Sequence, residues 1–223
     1  MSRKQLDRFL RLLIASPSGA VFNPWWEFDE ENDIGPHSPA IRRKHLTIYF
    51  RERLGKARLA IVGEALGYRG GHFSGIPMTS ERMLLGKQPV IVAGINPRRT
   101  SRPSICPNGF SEPTATIVWG ALLKIGVLPN EFVLWNAFPW HSFDPHRGLL
   151  SNRMPNKSER AAGLVVLKAF LELFPCDQVV ALGKVAAAQL EKLDVEAQCV
   201  RHPASGGAKL FRHQIVNILA RSN

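Results

Sequence analysis

The sequence predicts an α/β fold, a three-layer αβα sandwich around a central, mainly parallel four-stranded sheet. Short apolar runs bounded by glycine or proline, typical of strands buried on both faces, alternate with segments whose apolar residues recur at helical spacing. Strands that alternate with helices form parallel sheets that helices cover on both faces. The 223 residues contain no internal repeat, low-complexity tract or linker, which predicts a single domain over residues 1–223.

The chain begins with a predicted amphipathic helix. Leu6, Phe9, Leu10 and Leu13 share one face of it before the turn sequence SPSG. An irregular segment rich in acids and turn residues follows at 23–40. The four predicted strands are the apolar runs at 58–64, 89–94, 132–136 and 177–183.

Further helices are predicted after the strands. Ser111 is a candidate N-cap for a helix with an apolar face from Ile117 to Ile125. Asn156 and Glu159 have the spacing of a capping box at the start of the next helix. A shorter helix ends near Leu193, and a final helix follows a loop that contains the string RHPASGG.

The composition indicates a polyanionic partner. Lys and Arg number 29 against 18 Asp and Glu, for a formal charge of +11 and a pI near 10.1. Nucleic acid is the leading candidate, although a basic balance also occurs in proteins that are merely soluble. Three widely spaced cysteines without a C-x-x-C pair favour free thiols in a reducing cytoplasm over a disulfide framework or a metal site. The first residues lack an apolar run of ~18 residues, so neither secretion nor membrane insertion is expected.

Unusual residues fall where three of the predicted extended segments end. The glycine-rich bend GEALG (63–67) follows the first strand, Asn136 ends a later one, and His202 follows the last extended stretch. Ligands of open α/β sheets bind beyond the carboxyl ends of the strands. The sequence therefore predicts one composite site at that edge.

Four strings occur in the order typical of one enzyme superfamily. They are IVGEALGYRGGHFSGIPMTSE, LWNAFPWH…LSNRMPNKSE, VVALGK and VRHPASGG, and they cover most of residues 58–215. Together they resemble the motifs of the uracil-DNA glycosylase superfamily. NRMPNKSE is similar to its iron–sulfur branch, whose cluster cysteines are missing here, whereas the spacing from Gly63 to Gly75 resembles the single-strand-selective monofunctional branch. The resemblance indicates a divergent branch.

The resemblance implies a monofunctional hydrolase that cleaves the bond between uracil and deoxyribose and so initiates base-excision repair, without metal or cofactor. Such an enzyme flips the damaged base out of the stack into a pocket. Asn136 matches the position whose carboxamide reads uracil, accepting from N3–H and donating to O4. His202 matches the histidine that donates to O2 as negative charge develops there. Taken alone, Asn136 also fits a strand-end turn, and His202 fits an ordinary loop histidine.

The expected base pocket comprises residues of the bend and of the segment after it. Gly63, Ala65, Gly67, Phe73 and Met78 are its predicted members. Gly67 stands where the most uracil-selective branch has a tyrosine that bars the thymine methyl group. Met78 stands where an aromatic residue would stack on the base, a role that Phe73 could take instead. A roomier pocket that also accepts deaminated purines is expected.

The bend lacks an expected polar residue. Ala65 stands where the best-known branches have an Asp or Asn that positions the attacking water. Glu64, His141 and Asp144 are the candidate substitutes. Successive side chains of an extended segment point to opposite faces, so Glu64 reaches the sugar only if the bend turns it, and is otherwise a pocket residue. An unperturbed histidine has a pKa of ~6.5, so His141 would take either protonation state near neutrality. The alternative is that His141 is an ordinary histidine of a surface loop.

DNA contacts are predicted around His202. Basic side chains and closely approaching backbone N–H groups there would hold phosphates without reading sequence. The predicted contacts are Arg201, Ser205, Gly206, Gly207 and Lys209. Lys209 and Leu210 are the candidates for the wedge that fills the vacated stack.

Two functional hypotheses follow. The first is a uracil-DNA glycosylase that acts as a cytoplasmic monomer on uracil-containing DNA. The second is a catalytically weak or silent protein of the same fold that binds damaged or abasic DNA. Ala65 favours the second hypothesis, whereas Asn136 and His202 favour the first.

Overall fold

The computed structural model describes residues 3–86, 94 and 96–220. The helices in this part of the chain are α1 (Arg3–Leu12), α2 (Ser38–Arg53), α3 (Gly71–Ser74), α4 (Glu81–Leu85), α5 (Pro113–Lys124), α6 (Lys157–Leu173), α7 (Lys184–Glu191) and α8 (Ala208–Ala220). The strands are β1 (Val21–Phe22), β2 (Leu59–Ala65), β3 (Phe132–Phe138), β4 (His141–Ser142), β5 (Gln178–Leu182) and β6 (Gln198–Val200). No helix of the described segments is long and apolar enough to cross a membrane.

The central sheet has four parallel strands in the order β3-β2-β5-β6, which confirms the predicted α/β sandwich. Gly63 of β2 stands opposite Asn136 of β3 in this register. The strand predicted at 89–94 lies outside the described residues apart from Gly94. The fourth strand of the sheet is β6, the extended stretch before His202. β1 and β4 form a separate antiparallel pair.

Aromatic side chains join the helices to both faces of the sheet. Trp135 of β3 contacts Phe9 of α1, Phe50 of α2 and Phe170 of α6, with ring centroids 5.3–5.4 Å apart. Phe132 lies three residues before Trp135 and therefore points to the opposite face, where it contacts Trp119 of α5 at 4.8 Å. α8 packs beside α5. The sheet is thus covered on both sides.

Helix α2 is a part of the fold that the sequence pattern did not predict. Its buried face includes Arg42, His45 and Arg53, residue types that a polarity pattern assigns to solvent. Arg42 forms a fully buried ion pair with Asp33, and the Arg53 guanidinium donates to the backbone carbonyl of Phe132. These partners lie outside α2, so the pattern of α2 alone could not identify its inner face.

The starts of α5 and α6 test two predicted caps. Ser111 is not the N-cap of α5: Glu112 occupies that position, because Pro113 takes the first helical turn, where its missing N–H costs nothing. The capping box of α6 is confirmed. Asn156 Oδ1 accepts from the Glu159 N–H at 3.0 Å, and Glu159 Oε2 accepts from the Asn156 N–H at 2.8 Å.

Replacing Asn156 with alanine is expected to lower the free energy of unfolding by about 1 kcal/mol, because it leaves an N–H of the first turn of α6 without its acceptor. Urea denaturation of the purified protein measures the loss. Lys157→Ala, an exposed change one residue later, is the matched control and should have little effect. Equal losses in the two variants would contradict a stabilising cap.

Candidate active site

A cavity of about 520 Å³ lies beyond the carboxyl end of β2, a size typical of small-ligand sites. Four segments supply its wall: the bend after β2, the start of α5, the loop before α6 and the loop after β6. The lining residues are Glu64, Ala65, Leu66, Gly67, Arg69, Glu112, Pro113, Thr114, Asn152, Arg153, Met154, His202 and Ala204. Cavities of about 560 and 670 Å³ lie near the opposite edge, where β2 begins. Ligands of open α/β sheets bind at the carboxyl edge, which favours the first cavity.

His202 presents a hydrogen-bond donor at this cavity. Its Nδ1 accepts from the backbone N–H of Ala204 at 3.1 Å, so the proton of the neutral ring is on Nε2. Burial, and then the charge of Arg201, lowers the pKa of His202 below its usual value, which keeps the ring neutral at pH 7. No partner for Nε2 is found in the described segments. The Nε2–H group is therefore available to a ligand.

Glu64 and Ala65 both line the cavity, so the end of β2 turns the acid toward it. Glu64 is half-buried, and burial raises the pKa of its carboxyl, an effect that the nearby Arg160 opposes. The structure thus brings Glu64, Ala65, Gly67 and His202 together, as the sequence predicted.

Asn136 lies beside the cavity wall, in contact with the start of the bend. A Cβ atom built on Gly63 would lie 2.7 Å from Asn136 Oδ1 and 3.4 Å from Met78 Sδ, so only glycine fits between these side chains without displacement. Asn136 is 2% exposed, and its carboxamide makes no hydrogen bond to any described residue. Gly63, Asn136 and Met78 form a cluster that joins the cavity through Glu64, yet none of the three lines it.

Phe73 is placed differently from its predicted role. Its ring is fully buried and stacks on Phe110, with centroids 4.5 Å apart and planes 4° from parallel. It does not line the cavity in this structure. The sequence pattern did not predict this position of Phe73, because ring contacts of this kind depend on how distant loops pack.

His141 has neither of the properties expected of it. Its ring is fully buried, so it is not a surface-loop histidine, and burial lowers its pKa to about 3, so it does not titrate near neutrality. Nε2 donates to the Ser151 carbonyl at 2.7 Å, and Nδ1 lies 3.0 Å from Nδ1 of His72. His141 does not line the cavity. It holds the backbone next to Asn152, which does.

A buried polar chain extends from His141 to the irregular segment before α2. Because Nε2 of His141 donates to Ser151 and the ring is neutral, its Nδ1 accepts from Nδ1–H of His72. Nε2 of His72 lies 3.2 Å from the carboxylate of Asp29 but makes no hydrogen bond to it. This chain fixes one wall of the cavity from behind and gives His141 a structural position.

Glu112 is a cavity residue that the sequence pattern missed. Its Oε2 is buried and has no hydrogen-bond partner in the described part of the chain. Burial raises the pKa of its carboxyl to about 7. A Cβ atom on Gly70 would overlap this carboxyl group, so the glycines of the bend leave room for it. In the sequence, Glu112 is an acid directly before Pro113 at a helix start, a pattern that more often indicates an N-cap.

The predicted DNA-contacting loop is exposed beside His202. Arg201, Ser205, Gly206 and Lys209 are exposed, whereas Gly207 is buried. A Cβ atom on Gly207 would overlap the carbonyl oxygen of His202, so the loop can be this tight only with glycine there. Arg69, just after the bend, is exposed, so exposed positive side chains occur on two of the segments that form the cavity.

Comparisons with known proteins agree with this architecture. A family model described as Uracil DNA glycosylase superfamily matches residues 52–219. The crystal structure of wild-type Pedobacter heparinus SMUG2 is similar in fold, with a TM-score of 0.66 and 15% sequence identity, over 100% of this chain and 99% of that chain. No curated protein gives a significant sequence match. Among the described residues, no group of three or more His, Cys, Asp or Glu side chains is placed to hold a metal ion.

Proposed function

Because the chain belongs to the Uracil DNA glycosylase superfamily, we propose that it is a monofunctional DNA glycosylase that hydrolyses the N-glycosidic bond of uracil in DNA. The observation that carries the proposal is the Nε2–H donor of His202 at a cavity of base-binding size. Uracil-containing DNA is the proposed partner, and a monomer the proposed active form.

His202 would act on the charge that the reaction creates. When the bond between C1′ and N1 breaks, its electron pair leaves with uracil, and part of the negative charge develops on O2. A donor held in place for that oxygen stabilises the transition state by about 2.7–4 kcal/mol. The Ala204 N–H fixes the ring tautomer before substrate arrives, so no reorganisation is needed.

Asn136 would read the base. Its carboxamide can accept from N3–H and donate to O4 of uracil, a pattern that cytosine reverses. The residue is 2% exposed and its carboxamide has no partner among the described residues, so the group is available to bond to a ligand. Base recognition accounts for this observation. A turn-satisfying role does not, because the carboxamide bonds to no described turn.

The proposed substrate range extends to other deaminated bases. The atoms nearest to a Cβ on Gly67 would be Glu112 Oε1 at 3.5 Å and the Asn152 carboxamide at 3.7 Å, in ordinary van der Waals contact, whereas a bulky side chain there would fill the cavity. Glycine at this position therefore leaves space for bases larger than uracil.

A silent DNA-binding protein is the second candidate, and Ala65 favours it. This methyl group lines the cavity where the resemblance leads one to expect a water-positioning polar group. Loss of that group alone could leave binding intact while hydrolysis is lost.

Excision assays separate the two candidates. End-labelled oligonucleotides with one uracil, xanthine, hypoxanthine or thymine are incubated with excess protein as single strands and duplexes, and alkali then cleaves abasic sites. A glycosylase yields a cut strand with uracil and none with thymine. A silent binder shifts the oligonucleotides in gels without cutting any. Binding should weaken as salt rises, because phosphate contacts release counterions.

A further inference from the structure

We propose that Glu112 is the residue that holds and deprotonates the attacking water, in place of the polar group missing at Ala65. This inference rests on the proposed glycosylase function and assigns a step of it to a residue outside the four sequence motifs.

The position of Glu112 supports this role. It lies at the start of α5 and lines the same cavity as Ala65 and His202. A Cβ atom on Gly67 would lie 3.5 Å from Glu112 Oε1, and one on Gly70 would overlap Oε2. The carboxyl group therefore packs against the bend that carries Ala65, and the two glycines permit that approach.

No contact among the described residues gives Glu112 a structural role that explains its buried carboxyl group. It is the N-cap residue of α5, but its side chain accepts no hydrogen bond from the first turn. Its Oε2 is buried without a partner in the described segments, and no ion pair of the described residues includes it. Burying a carboxyl group in this way costs free energy. A ligand that donates a hydrogen bond, such as a water molecule, would recover that cost.

The surroundings of Glu112 also suit a base. Burial raises its pKa to about 7, where a general base combines an adequate ionised fraction with useful proton affinity. The nearby positive charge of Arg153 is already paired, because its guanidinium makes two contacts of 2.6 and 2.7 Å to the Glu159 carboxylate. The charged or titratable side chains that line the same cavity are Glu64, Arg69, Arg153 and His202.

In the proposed step, water replaces the base at C1′ of the sugar. The water oxygen forms a bond to C1′ while the bond between C1′ and N1 breaks, and the bonding pair leaves with the base. The water proton passes to the Glu112 carboxylate. The base anion, held by Nε2–H of His202, then takes up a proton, and Glu112 returns its own to solvent. The products are the free base and an abasic sugar.

Glu112→Gln tests the step, with Glu196→Gln, an exposed change outside the cavity, as the matched control. Under single-turnover conditions, the wild-type rate of uracil excision should rise as pH increases through about 7, because only ionised Glu112 accepts a proton. His202, with its lowered pKa, stays neutral at and above that pH. E112Q should reduce the rate by about 10²-fold or more and abolish the rise. E196Q should retain both the rate and the rise.

Binding measurements and a second variant distinguish a role of Glu112 in the chemical step from a role in base binding or folding. E112Q should bind an oligonucleotide with a non-hydrolysable 2′-fluoro-deoxyuridine as tightly as the wild type. Glu112→Asp keeps a carboxylate, so its lower rate should still rise with pH. If E112Q fails to fold, this pH profile tests the role of Glu112 instead.

Three results overturn the inference. An E112Q protein with wild-type rate and pH profile leaves the glycosylase proposal standing without Glu112. A loss of binding equal to the loss of rate assigns Glu112 to base recognition instead. A wild-type protein that excises no base removes the inference together with the proposed function.

Discussion

Replacing His202 with alanine is expected to lower the single-turnover rate of uracil excision by about 10²–10³-fold. The variant removes the Nε2–H donor that faces the cavity, and with it the stabilisation of charge on uracil O2. Binding of a 2′-fluoro-deoxyuridine oligonucleotide should change far less, because the negative charge exists only as the bond breaks. Rapid-quench measurements with excess enzyme give the rate without interference from product release.

His213→Ala is the matched control for this change. His213 is an exposed histidine of α8 that does not line the cavity, so its loss should leave excision at the wild-type rate. Equal rates in H202A and the wild type would show that His202 is an ordinary loop histidine. A loss of binding that matches the loss of rate would instead indicate that the loop from Arg201 to Gly207 had been distorted.

Replacing Asn136 with alanine is expected to lower the specificity constant for uracil excision by about 10²-fold or more. The variant leaves N3–H and O4 of the flipped base without partners in a buried site, at about 1–3 kcal/mol for each group. Competition between uracil- and hypoxanthine-containing oligonucleotides measures whether the loss falls mainly on uracil, as expected for a residue that reads its edge.

Stability distinguishes recognition by Asn136 from a structural role. Because its carboxamide bonds to no described residue, N136A should lower the free energy of unfolding only slightly. Gln189→Ala removes a different buried carboxamide, one of α7 outside both the cavity wall and the cluster of Gly63, Asn136 and Met78, and should leave excision unchanged. A large loss of stability in N136A, with excision reduced in proportion, would favour the strand-end interpretation.

Local patterns determined much of the architecture. The apolar runs at 58–64, 132–136 and 177–183 are strands because such runs are buried wherever they lie in a covered parallel sheet. The capping box of α6 depends on two residues three apart, so it too is readable locally. Parallel strands share a carboxyl edge, and this explains why the sequence places the bend and His202 at one candidate site.

The sequence by itself therefore determined the fold class, the edge that holds the candidate site, and the motif residues Glu64, Ala65 and His202 of the cavity wall. Only the tertiary structure decided the surroundings of each side chain. It buried His141 and placed the Glu112 carboxyl group against the glycines of the bend. The reason is physical: hydrophobic periodicity and caps act over a few residues, whereas desolvation and partner geometry are set by segments distant in the chain.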